Sequence, residues 1–255
     1  MAANKIKITF LGTNGWYDTD TGNTICVLVE TPKEYVVLDA GNGIYKLDRY
    51  IKKNKPIHLF LSHFHLDHII GLHVLAKFKF RQGINIYVKK GFKNELKRFV
   101  SKKFTMPLGQ LATRIKIFEI SGPKMPVPFL EQALPLRHPV PCLGFRFNFG
   151  GKVISYVTDT GLCDNLFRLA EGADLLISEC AFKVGQKISA WPHLDPKSAA
   201  LMAKRAGAGK LVLVHFDADV YRTLAERKKA AKLARKIFRN TFAAEDGMSL
   251  EMGGR

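Results

Sequence analysis

Leu61-Ser62-His63-Phe64-His65-Leu66-Asp67-His68 constrains this chain more than any other stretch. Three histidines and an aspartate fall within six positions, directly after the apolar run Ile57 to Leu61. Neutral imidazole suits Zn, Fe, Ni and Cu, and carboxylate is the harder ligand that completes such a site. In an extended segment His63 and His65 point the same way, because side chains alternate with period two. Where the chain then turns into a helix, Asp67 and His68 are carried to a second position. One segment can therefore serve two metals, and a chance H-x-H-x-D-H after a buried strand is improbable.

Two metals need more than four ligands. His138, Asp159 and His215 also sit just past strand ends. Each has a plainer role open to it: His138 as an exposed residue among prolines, Asp159 as a turn aspartate, His215 as a core histidine. Taken together they fit one chemistry. His63, His65 and His138 would hold one ion, Asp67, His68 and His215 the other, and Asp159 would bridge. The expected cofactors are two divalent ions, zinc first, with manganese or iron as alternatives. His58 and His73 are read as structural.

The 255 residues suffice for a large core. Strands dominate, helices lie between them and no linker divides the chain. The pattern implies one α/β domain over residues 1–255, built as a two-sheet sandwich with helices on both outer faces. Expected strands are Ile6–Leu11, Thr24–Glu30, Tyr35–Leu38, Ile57–Leu61, Ile84–Val88, Ile115–Ile120, Gly144–Phe149, Val153–Val157, Asp174–Ser178, Leu211–Val214 and Met248–Glu251. Expected helices run to about Lys53, over Asp67–Phe78, Gly91–Lys103 and Tyr221–Arg239, and over Pro196–Ala206 behind an Asp195 cap. Prolines 123, 126, 128, 135, 139 and 141 make Ser121–Pro141 irregular or edge structure.

The start has no signal-peptide core, and no stretch is long and apolar enough for a membrane span. Cys26, Cys142, Cys163 and Cys180 are scattered, as reduced, mostly buried thiols of a cytoplasmic protein would be, with Cys180 a packing residue. Lys plus Arg number 40 against 22 Asp plus Glu, a formal charge of +18, which favours polyanions (RNA, DNA or an anionic membrane surface) unless it is a solubility adaptation. Basic residues gather on two helices. One cluster includes Lys89, Lys90, Lys93, Lys97 and Arg98 around Phe92 and Phe99; the other includes Lys228, Lys232 and Arg235. Both could be solvated helix faces, or could follow an RNA backbone.

Asp39, H-F-H-L-D-H, His138, Asp159 and His215 together resemble the metallo-β-lactamase-fold hydrolases. Phe10-Leu11-Gly12-Thr13, Leu143-Gly144-Phe145-Arg146-Phe147, Ile177-Ser178-Glu179-Cys180-Ala181-Phe182, His193 before Leu213-Val214-His215-Phe216, and the stretch Asn240 to Met248 resemble its ribonuclease Z-like phosphodiesterase branch. The resemblance implies a four-layer αββα sandwich of two mixed sheets, and often a homodimer. It implies a hydrolase of RNA or a (cyclic) nucleotide phosphodiester, using a hydroxide held between the metals. Asp67 would orient or deprotonate that nucleophile, and His193, paired with Glu179, would protonate the leaving group. Asp39 would fix the ligand loop by hydrogen bonds.

Two departures matter. Transfer-RNA-processing members carry a long arm between the positions of His138 and Asp159, whereas here the two residues lie only 21 positions apart. The family's Gly-Glu-Gly-Thr-Gln appears as Gly41-Asn42-Gly43-Ile44-Tyr45. Both point towards armless relatives that cleave small or cyclic phosphodiesters. A same-fold hydrolase of an ester, thioester or β-lactam is the alternative, and a non-catalytic nucleic-acid-binding module a more remote one.

Overall fold

Alternation along the strands separates two buried faces, and those faces define the layers. The computed structural model describes residues 5–121, 127–186, 188 and 190–253. Fifteen strands are described there: β1 (Ile6–Gly12), β2 (Asn14–Gly15), β3 (Cys26–Glu30), β4 (Tyr35–Leu38), β5 (Ile57–Phe60), β6 (Ile84–Lys89), β7 (Ile115–Ile120), β8 (Leu130–Pro135), β9 (Leu143–Phe149), β10 (Lys152–Val157), β11 (Leu175–Glu179), β12 (Leu211–Val214), β13 (Phe216–Asp217), β14 (Thr241–Ala243) and β15 (Ser249–Met252). One mixed sheet runs β15-β1-β3-β4-β5-β6-β7 and a second β14-β12-β11-β10-β9-β8. Short β2 and β13 form a separate two-stranded parallel pair, through Phe216↔Asn14 and Asp217↔Gly15.

Val27, Val29, Val36, Leu38 and Phe60 of the first sheet meet Phe145, Phe147, Tyr156, Ile177, Val212 and Val214 of the second in one central core. Their alternate neighbours point outward. Cys26, Leu28, Val37 and Leu59 pack on Ile44, Leu47, Leu72, Leu75 and Leu96. Val157, Leu176, Leu211 and Leu213 pack on Leu166, Leu169, Ala200, Met202, Ala230 and Ala234. Strands buried on both faces read as continuous apolar runs, which is why Leu211-Val212-Leu213-Val214 carries no polar residue. The layers are helix, sheet, sheet, helix, as the sequence pattern implied.

The helices are α1 (Leu66–Ile69), α2 (Lys93–Phe99), α3 (Asp164–Ala170), α4 (Pro196–Arg205) and α5 (Leu224–Arg235). The α4 start matches its sequence signature: Asp195 accepts from the backbone of Lys197 and Ser198, with proline in the first turn. Four helices are shorter or tighter than expected, the first being α2, which spans Lys93–Phe99 and not Gly91–Lys103. Asp67–Phe78 is not one α-helix but α1 followed by a 3₁₀ segment, Ile70–Lys77. Its backbone bonds are diverted, since Ala40 N–H donates to His68 O and Gly71 N–H to Ala40 O. The helix ending near Lys53 is a 3₁₀ segment, Asn42–Arg49. The last helix begins at Leu224, not Tyr221, because Thr223 and Glu226 form a capping box there. The proline-rich stretch yields β8, an edge strand, as expected; Pro123 and Pro126 lie outside the described residues. Helix α3 and strand β14 were not anticipated.

Candidate metal centre

All the candidate ligands emerge at carboxyl ends of strands, on one rim. Asp39 follows β4, the His63–His68 segment follows β5, Asp159 follows β10 and His215 follows β12. Four described non-glycine residues have left-handed backbone: Trp16 (φ 72°), Asp39 (58°), Asp159 (46°) and His215 (51°). Such conformations are costly for these residues and persist where surrounding structure enforces them. Here Asp159 and His215 turn inward to meet each other, Oδ1 to Nε2 at 3.1 Å, Asp39 reaches His68 Nδ1 from beneath, and Trp16 points its backbone N–H at Asp67.

The rim brings together every sequence-predicted ligand. His63, His65, His138 and Asp159 offer donor atoms within 4.8 Å of one another, and so do Asp67, His68 and His215. Asp159 joins the two groups. Its Oδ2 lies 3.6 Å from His63 Nε2 and 3.8 Å from His138 Nε2, while its Oδ1 lies 3.1 Å from His215 Nε2 and 3.3 Å from His68 Nε2. One oxygen faces each group. Nitrogen meets nitrogen at 3.1 Å twice, for His138 Nε2 with His65 Nδ1 and for His68 Nε2 with His215 Nε2. Donor atoms about 2.0–2.2 Å from a shared cation stand about 3.0–3.5 Å from each other, depending on coordination geometry. Buried His63 Nε2 has no hydrogen-bond partner and faces the cluster. A cation would satisfy it, so the residues fit two divalent ions.

Electrostatics agree. Burial holds the imidazoles of His63 and His65 below their usual pKa, and that of His138 at about 4, so these rings are neutral and able to ligate. Burial opposes charge on His68 and His215 as well, but Asp159 and Asp67 outweigh it and raise both. In the same way, burial would raise Asp67 and Asp159, yet His68 and His215 hold both carboxyls below the ordinary range. Clustered anions thus draw positive charge into this rim.

Asp39 is fully buried beneath the cluster. It accepts from Ser62 N–H at 2.7 Å, Ser62 Oγ at 2.8 Å, Tyr156 OH at 2.7 Å and His68 Nδ1 at 2.8 Å. With Nδ1 so engaged, His68 presents Nε2 to the site. Two glycines keep the rim open. A Cβ on Gly15 would stand 2.5 Å from His215 Cε1, and one on Gly41 2.4 Å from Asp67 O.

His193 and Glu179 meet beside the cluster. Glu179, at the end of β11, is fully buried and lies 2.9 and 3.0 Å from His193 Nδ1 through its two oxygens. It also accepts from the backbones of Thr160, Ala181 and Leu194. The His193 ring is 5.8 Å from that of His138 and 6.1 Å from that of His215, between centroids. Burial disfavours charge on His193, but the Glu179 carboxylate outweighs it and pushes the pKa up to about 9.

The remaining expectations divide. His58 is structural, with Nδ1 2.9 Å from Tyr87 OH in the core; His73 lies exposed, bonded to Ile70 O. Cys180 packs against Tyr221 OH, 3.7 Å away. Lys90, Lys97, Arg98, Lys228, Lys232 and Arg235 are exposed and Lys89 and Lys93 half-buried. The α2 cluster adjoins the metal rim through Phe92, which packs edge-on against Phe64 at 5.1 Å. Arg235 is partly engaged elsewhere, its Nε donating to Thr241 O. Sequence reasoning missed Arg227, a fully buried guanidinium on α5 that donates to Thr13 Oγ1 (3.0 Å), Thr21 Oγ1 (2.8 Å) and Asn14 Oδ1. It braces the loop leading to Gly15 and Trp16.

This arrangement is that of a metallo-hydrolase. Residues 34–216, which include every candidate ligand, match the model of the beta-lactamase superfamily domain. The chain belongs to that superfamily. It is similar to the probable metallo-hydrolase YhfI of Bacillus subtilis, 28% identical over 220 residues covering 83% of this chain and 87% of that one. It is also similar to ribonuclease Z of Methanosarcina acetivorans, 26% identical over 313 aligned positions covering 97% and 98%. Among solved structures, Bacillus subtilis YhfI superposes with a TM-score of 0.82 at 25% identity, covering 98% and 100% of the two chains. Human tRNase Z short form superposes at 0.73 with 24% identity over 96% and 98%, a likeness of fold. No helix among the described residues is long and apolar enough to cross a membrane.

Proposed function

We propose that this metallo-hydrolase is a phosphodiesterase acting on RNA or a nucleotide, with His63, His65, His138 and Asp159 holding one divalent ion and Asp67, His68, His215 and Asp159 the other. The donor set of imidazoles and carboxylates suits zinc, with manganese and iron as alternatives. Two such ions supply an acidified water and neutralise charge on the phosphoryl oxygens. Asp67, whose Oδ2 lies 3.1 Å from His215 Nε2, accepts the proton of the attacking water and orients it. His193 donates a proton from Nε2 to the departing oxygen, its Nδ1 held by Glu179 so that the ring cannot turn.

The Glu179–His193 pair beside the cluster is the observation that carries this reading. An alkoxide leaving from phosphorus is a poor leaving group and needs a proton donor. A ring whose pKa is raised stays protonated at neutral pH to supply it. The relatives named ribonuclease Z and the basic charge support RNA or a nucleotide as the substrate. The cluster Lys89, Lys90, Lys93, Lys97 and Arg98 next to the rim supports the same class. Strands β9 and β10 join through Gly150-Gly151 in a short hairpin, so no arm rises between His138 and Asp159. That favours short or unstructured substrates over whole precursor transfer RNA.

The test is a side-by-side cleavage assay of zinc-loaded protein with a dinucleotide, a 2′,3′-cyclic nucleotide, precursor transfer RNA, a thioester and a chromogenic cephalosporin. Turnover confined to the phosphodiesters is expected. Turnover of the thioester or cephalosporin alone would overturn the reading.

A further inference from the structure

The chain has two tryptophans, Trp16 and Trp191, and both stand exposed at the candidate metal rim. Trp16 is 65% exposed and Trp191 48%. Tryptophan is heavily buried on average, and an indole left in water forgoes a large apolar contribution. Two such residues converging on one site mark a surface that is covered when the site is occupied.

The two residues adjoin different ends of the cluster, Trp191 through its ring and Trp16 through its backbone. The Trp191 ring lies 5.4 Å from that of His65 and 6.1 Å from that of His138, on the first group of ligands. Trp16 belongs to the second, since its N–H donates to Asp67 Oδ2 at 2.8 Å. That bond comes from the backbone, and the backbone there is left-handed, with φ 72°. Glycine would make the same bond without strain. The large side chain is therefore not what the bond requires. Tyr17 packs edge-on against the Trp16 ring, 5.1 Å between centroids.

Resting on the phosphodiesterase reading, we propose that Trp16 and Trp191 are stacking platforms for the two nucleobases flanking the scissile linkage, so that the preferred substrate is a dinucleotide or single-stranded oligonucleotide. Bases present flat π-faces that stack on aromatic side chains whatever their sequence. A platform at each end of the cluster leaves the phosphate between them, over the ligands. The basic residues beside Phe92 add the charge that a continuing phosphate backbone needs. A mononucleotide would use one platform only.

The experiment compares zinc-loaded wild type with Trp16→Ala, Trp191→Ala and the corresponding Phe variants. Substrates are ApA and its abasic counterpart, in which hydrogen replaces each base. The ratio of kcat/KM for ApA to that for the abasic compound should fall about tenfold or more in each Ala variant, and Phe should restore most of it. Because these two indoles are the chain's whole tryptophan complement, binding can be followed separately. A phosphorothioate-linked ApA should quench wild-type emission, and each single variant should lose its share of the change. Unchanged ratios in both Ala variants would overturn the proposal. So would sedimentation showing that the Ala variants dissociate a dimer while the ratios stay constant. Wild-type quenching without cleavage of either compound would keep the platforms and overturn the phosphodiesterase reading instead.

Discussion

His68 Nδ1 lies 2.8 Å from Asp39 Oδ2, both side chains wholly shielded from water, and this contact decides which nitrogen His68 presents to the rim. Asp39 takes three more hydrogen bonds, two from Ser62 and one from Tyr156, so it ties β4, the His63–His68 segment and β10 into one frame. The carboxylate touches no candidate ion position. Its effect is exerted through ring orientation and basicity.

Replacing Asp39 by Asn keeps the shape but weakens the grip on His68. Affinity for the second divalent ion should fall about 10- to 100-fold, with the ion held by His63, His65 and His138 less affected. Competition with a chromogenic chelator reads both steps. Equal loss at both would contradict the assignment.

His193→Ala should lower kcat by a factor of about 10² to 10⁴ with metal content unchanged. The loss should be small for a p-nitrophenyl leaving group, which needs no proton, and large for a nucleoside. The pH profile carries the sign. As the proposed acid His193 acts when protonated, so wild-type activity should fall as pH rises through its pKa. That pKa is about 9 in the protein alone, and bound cations would move it lower. The alkaline limb should vanish in His193→Ala; its persistence would remove His193 from proton transfer.

Arg227 has no carboxylate within ion-pair distance among the described residues, and burial lowers its pKa to about 10. Its hydrogen bonds to Thr13, Asn14 and Thr21 hold the segment that carries Gly15 against His215. Arg227→Ala should destabilise the fold by about 2–4 kcal/mol, through lost charged hydrogen bonds and an unfilled space. Arg227→Lys should recover only part, because one ammonium cannot reproduce the fork. Urea unfolding measures both, and a change below about 0.5 kcal/mol would show that Arg227 is not a brace.

Some of this was legible in the residues and some was not. The H-x-H-x-D-H segment announced the rim by its density of ligand-type residues, whereas Asp159 and His215, each after an apolar strand, could singly have been a turn or core residue and spoke only together with it. Asp195 with Pro196 announced α4 because capping is local. Helix α3 lacked such a signal: Cys163 precedes it and makes no side-chain cap. The 3₁₀ segments following Gly41 and His68 were invisible for a different reason. Their starts are tied to residues remote in sequence, by Gly43 N–H to Thr24 O in the first and Gly71 N–H to Ala40 O in the second. Arg227 read as one more cation on a basic helix, since only its tertiary partners make it a core residue.

His58 gives a pH signature separate from the metals. Burial lowers its pKa from 6.5 to about 4. The unfolded chain therefore takes up this proton before the folded one does. The stability that His58 confers is complete above pH 6.5 and is lost as pH falls from there towards 4, at no more than about 1.4 kcal/mol per pH unit. Comparing urea midpoints of wild type and His58→Asn over that window isolates the effect. Parallel curves would contradict it.

In the proposed site seven side chains hold two divalent ions astride Asp159. Anomalous diffraction at the zinc edge from zinc-loaded crystals tests it directly. Two peaks about 3.5–4 Å apart, one among His63, His65 and His138 and one among Asp67, His68 and His215, are the predicted result. A single peak at either position, or zinc bound away from Asp159, would contradict the account.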